Sequence, residues 1–102
     1  MYVILTSKPG QYRTEPGEGL RPVEAYDYVF CGRRRARFVI AELAHPTRVR
    51  VVDESGPPIV NSVPSKFLEA FDTVEEARDE LRHLTAFRSI RAALEPAPVE
   101  AA

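Results

Sequence analysis

The chain has 102 residues, 44% of them apolar and 28% charged, with a formal net charge of -1 and an isoelectric point of about 6.1. That length is one domain, with enough apolar residues for a core that needs no staple, and the near-neutral balance argues against a dedicated nucleic-acid binder, which carries a basic excess to neutralise phosphates. Its single cysteine, Cys31, excludes an intramolecular disulfide framework and a four-cysteine metal or iron–sulfur site.

Tyr2 to Thr6 is β-rich and apolar on both faces, with Val3 and Leu5 pointing one way and Tyr2 and Ile4 the other. Such a strand is covered on both sides or central in a sheet. The apolar run is far too short for a signal peptide, no basic region precedes it, and no later run approaches the ~20 residues of a membrane helix. A cytoplasmic location is therefore the expectation. Arginine far outnumbers lysine and Ala and Pro are abundant, as in bacterial proteins from GC-rich genomes. Gln11 to Arg21, with Pro16, Gly17 and Gly19, reads as a long loop.

The best-specified element lies between Glu24 and Glu42, where an aromatic alternation runs into CGRRRAR and then a second apolar run. It reads as a β-hairpin. Tyr26, Tyr28 and Phe30 share one face, as do Ala36, Phe38 and Ile40. The two sets meet on one side when Phe30 pairs with Ala36, Tyr28 with Phe38 and Tyr26 with Ile40. That register predicts a three-residue tip, Gly32-Arg33-Arg34. Asp27, Val29, Cys31, Arg35, Arg37 and Val39 would then form a partly exposed opposite face.

Arg48 to Glu54 alternates charge with valine and reads as a third strand linked by a hairpin. Pro64 would open a short helical turn with Phe67, Leu68 and Phe71 on its apolar side, a strand over Phe67 to Ala70 being the alternative. Asp72-Thr73-Val74-Glu75-Glu76 is a strong helix start, with a capping-box spacing and acids at the positive end of the dipole. Val74, Ala77, Leu81 and Leu84 predict one buried stripe. Glu75–Arg78 and Asp79–Arg82 pairs belong on the outer face. Phe87, Ile90 and Leu94 extend the helical spacing or make a second short helix. Residues 96–102 read as a disordered tail beyond a single domain over 1–95.

Candidate chemistry is sparse. Cys31 sits beside arginines, which favour a thiolate, yet no base stands near it in sequence. A thiol-dependent enzyme is thus the third reading, with a Cys31–histidine dyad left open. His45 lies in a turn and His83 on a helix flank, neither at metal-ligand spacing. Asp53-Glu54 more simply ends a strand, and Glu75-Glu76 opens a helix. No catalytic residue, metal site or cofactor is assigned. The one concentrated charge is Arg33, Arg34, Arg35 and Arg37, the candidate binding residues. In the register above the aromatics lie away from Arg35 and Arg37, so charge and stacking do not converge for a nucleic acid.

The expectation is therefore an α+β domain. An antiparallel sheet of about four strands with a central hairpin is packed on one face by a C-terminal helix. Its leading function is a small non-enzymatic interaction or accessory module that docks an acidic protein partner through the arginine hairpin. Binding of nucleic acid or another polyanion is the alternative. The sequence selects no oligomeric state.

Overall fold

β1 (Tyr2–Ser7) carries apolar side chains on both faces, and the computed structural model, which describes residues 1–85 and 92–99, covers both. The fold is α+β with two antiparallel sheets. The main sheet has the order β7-β1-β4-β3-β8, from β7 (Ala70–Phe71), β1, β4 (Arg33–Leu43), β3 (Leu20–Phe30) and β8 (Ala92–Ala97). The small sheet has the order β2-β5-β6, from β2 (Tyr12–Glu15), β5 (Arg48–Asp53) and β6 (Val60–Pro64). The helix α1 (Val74–Thr85) covers one face of the main sheet, and the small sheet packs on the other. Among the described residues no helix is long and apolar enough to cross a membrane.

The helix-side core joins Ala36, Phe38 and Ile40 of β4 to Ala77 and Leu81 of α1, with Tyr26 and Tyr28 packed around them. Leu81 and Ile40 lose essentially all their exposure, worth roughly 2–3 kcal/mol of transfer free energy each. The second core holds Val3, Leu5, Leu20, Ala41 and Val49 between the sheets. Thr73 caps the helix as its spacing predicts: its Oγ1 accepts from the Glu76 amide at 3.1 Å, and the Glu76 carboxylate accepts from the Asp72 amide. The buried stripe ends early, because Leu84 is half exposed.

Several expectations are corrected. The main sheet has five strands where about four were expected, and a second, three-stranded sheet brings the described residues to eight strands. The presumed loop over Gln11 to Arg21 contains β2, which turns back at Lys8-Pro9-Gly10 and pairs with β5. β5 belongs to the small sheet and is not hairpin-paired with β4. Val63 to Phe71 divides into the end of β6, a 3₁₀ turn at Ser65–Phe67 and β7. No shared helical face forms there, since Phe67 is 71% exposed under the Lys66 ammonium while Leu68 and Phe71 join different cores. Leu94 lies in β8 opposite Tyr28, and Glu95, Pro96 and Ala97 extend that strand. Phe87 and Ile90 fall outside the described residues.

β6 is an edge strand. The Asp53 amide donates to the Ile59 carbonyl and the Ser65 amide to the Thr47 carbonyl. In the β5–β6 register, alternation then turns the backbone groups of Val60, Ser62 and Pro64 outward. Arg48 reaches across to this edge, donating from Nε to the Ser62 hydroxyl at 2.7 Å and from Nη2 to the Ser62 carbonyl at 3.2 Å.

Candidate functional site

The arginine hairpin is built from two alternating strands that fall out of phase and are corrected by bulges. Its tip is a two-residue turn, Cys31-Gly32, with φ of 53° and 76°, as a type I′ hairpin turn requires. The expected three-residue tip does not form. Phe30 pairs with Arg33 and Val29 with Arg34, but Tyr28 pairs with Ala36. Arg35 is the extra residue, a β-bulge. It restores the phase that places Ala36, Phe38 and Ile40 on the side of Tyr26 and Tyr28. A second bulge at Val23, between Pro22↔Ala41 and Glu24↔Ile40, sends Leu20 to the inter-sheet core and Tyr26 to the helix side.

The arginines are redistributed accordingly. Arg33, Arg34 and Arg35 are exposed and Arg37 is partly buried. The pair sharing the face opposite the helix is Arg34 and Arg37, rather than Arg35 and Arg37, because the bulge shifts the alternation by one. Arg37 grips Asp27 with a fork, Nε to Oδ1 at 2.8 Å and Nη2 to Oδ2 at 3.1 Å. Arg34 stands 4.0 Å from the same carboxylate.

This face is not simply solvated. With the small sheet it bounds a cleft of about 650 Å³, to which β4 gives Arg34 and Arg37. Arg13 and Glu15 of β2, Arg50 of β5 and Glu54 just beyond it line the cleft as well. Arg13 bridges Glu15 and Glu54 at 3.1 and 2.9 Å, whereas Arg50 approaches Glu15 only to 3.7 Å. Pro9, Pro16, Pro22 and Pro98 stand around the walls. Sequence reasoning missed Arg13 and Arg50. A signal for Arg50 was the RVRVV alternation, but Arg13 sat in a segment read as loop.

On the helix side a closed network forms instead. Arg78 donates to Glu24 from Nε at 2.7 Å, and a second contact from Nη2 completes the fork. The Tyr26 hydroxyl donates to the same carboxylate at 2.7 Å. The Arg78 guanidinium holds the Glu24 carboxyl down to about 2, against the upward push of burial. With Arg78 and Tyr26 both donating to it, this carboxylate ties α1 to β3. The expected Glu75–Arg78 surface pair is a 3.8 Å side contact of this network, while Asp79–Arg82 forms at 2.6 Å.

Cys31 is exposed at the hairpin tip. His45 lies beyond the opposite end of the same hairpin, its ring packed on Gly19, whose φ of 86° and lack of a Cβ permit the contact. Eleven-residue strands separate the two by roughly 30 Å, which removes a Cys31–His45 dyad. His83 is an exposed residue of α1. Among the described residues no group of three or more His, Cys, Asp or Glu is placed to hold a metal ion. Comparison with protein-family models, curated proteins and solved structures gives no match.

Proposed function

We propose that this protein is a non-enzymatic interaction module that docks an acidic protein partner through its arginine hairpin. The observation that carries this reading is the tip itself. A tight two-residue turn and an adjacent bulge project Arg33, Arg34 and Arg35 into solvent as consecutive exposed guanidinium groups. Guanidinium groups meet carboxylates bidentately, and their planar fork loses less freedom per hydrogen bond than a lysine ammonium does. A nucleic acid is less well served. Tyr26, Tyr28 and Phe38 pack in the helix-side core, which leaves only Phe30 at the tip and Tyr12 in the cleft as aromatics beside these arginines among the described residues, and Asp27, Glu15 and Glu54 interrupt the positive field. A thiol enzyme gains no support from a cysteine on a convex tip.

The test compares native protein with an Arg33→Glu/Arg35→Glu variant, each used to recover partners that are then reconstituted from purified components. The expected result is an acidic partner whose affinity drops at least tenfold in the variant and falls with salt. Equal affinity for both forms overturns the reading. Binding only to nucleic acid transfers it to the polyanion class.

A further inference from the structure

Resting on that reading, we infer that the partner's contact is an extended acidic segment that leaves the hairpin tip and lies in the cleft between the two sheets. Four guanidinium groups line this cleft, and they differ in how they are held. Arg13 and Arg37 are committed to carboxylates at 2.9 and 2.8 Å. Arg34 and Arg50 approach their acidic neighbours only to 4.0 and 3.7 Å, beyond hydrogen-bond length, and remain about half and three-fifths exposed. Arg34 belongs to the main sheet and Arg50 to the small one. An incoming carboxylate gains a charge-assisted hydrogen bond from either without breaking a short one.

The surroundings choose a peptide over other anions. Carboxylates of Glu15 and Glu54 line the cleft among the arginines, and Asp27 is bound to Arg37, so the uniform charge of a phosphate backbone meets repulsion there. A segment with spaced acidic residues does not. Between its acids such a segment places apolar side chains against Pro9, Pro16 and Pro22. These walls are stiff, which lowers the ordering cost of binding. The cleft is continuous with the tip through Arg34, which belongs to both.

The experiment is an NMR titration of the full chain, labelled with ¹⁵N, using a soluble decapeptide alternating glutamate and valine. Its glutamine counterpart and a ten-nucleotide oligothymidine serve as controls. Expected are shifts of the Arg34 and Arg50 Nε–H signals with the glutamate peptide alone, and a Kd weakened at least fivefold by Arg50→Glu. Arg50 is exposed and outside the hairpin, and thermal melting checks that this variant folds. Shifts confined to Arg33 and Arg35, with Arg50→Glu binding normally, overturn the cleft inference and leave tip docking standing. Equal shifts with the glutamine peptide or the oligonucleotide, or no shift with any probe, also overturn the cleft inference. Tip docking is judged separately, by the Arg33→Glu/Arg35→Glu comparison with the reconstituted partner.

Discussion

Two β-bulges flank the aromatic stretch of the hairpin, one at Val23 on β3 and one at Arg35 on β4. They perform the same geometric operation with opposite electrostatic results. The Val23 bulge turns Glu24 toward the helix, where Arg78 and Tyr26 enclose it. The Arg35 bulge turns Arg34 to the cleft face, where the nearest carboxylate stays 4.0 Å away. One bulge completes a network and the other leaves a guanidinium available. Where the chain needs a helix fastened to a sheet, the unpaired residue delivers a partner. At the turn end of the same hairpin, it delivers a contact group.

The largest expected effect tests whether the bulges serve the helix-side core. Leu81 is fully buried over the β4 residues that both bulges bring into phase. Leu81→Ala is expected to cost about 2–5 kcal/mol, read by urea denaturation. A loss below about 1 kcal/mol means that α1 is not anchored there.

Next comes the electrostatic contrast. Glu24→Gln is expected to cost about 1–2 kcal/mol at neutral pH, as a partly exposed charge-assisted network, whereas Arg34→Gln stays within about 0.5 kcal/mol. The pH dependence has a fixed sign. The folded Glu24 carboxyl lies near 2, below its ordinary 4.5. Its contribution is therefore complete above pH 4.5 and is lost as pH falls toward 2. Denaturant titrations across that window should show a shallower acid decline in Glu24→Gln. Parallel declines would mean that Glu24 is not held low.

The smallest effect is expected from deleting Arg35. Pairings on both sides of the bulge are already in phase, so removal regularises the ladder without turning any core residue outward. Stability should change by less than about 1 kcal/mol in a thermal melt. A collapse of the fold would show that the bulge itself is required.

Much of this architecture was legible from short-range pattern. The two-faced first strand, the common side of Tyr26, Tyr28, Phe38 and Ile40, and the Thr73 helix start all follow from alternation or capping chemistry. Bulges were not legible, because strict alternation has no place for an unpaired residue. The correct common face was inferred with the wrong turn, since a longer tip and a bulge both restore phase. β2 was hidden because YRTE is short, charged and flanked by Pro and Gly, and its strand character comes from pairing with β5. The cleft was invisible for a related reason. Arg13, Arg34 and Arg50 converge only after the second sheet folds over the first.

Arg48 at the small sheet's edge has a consequence for how copies of this protein coexist. An incoming strand would add to β6 through the outward groups of Val60, Ser62 and Pro64. Arg48 occupies the Ser62 carbonyl, and Pro64 has no amide hydrogen. Too few successive rungs remain to seed a cross-chain ladder. At cellular concentrations the β6 edge can face solvent without becoming a template for fibre growth, although β6 itself carries no charged residue.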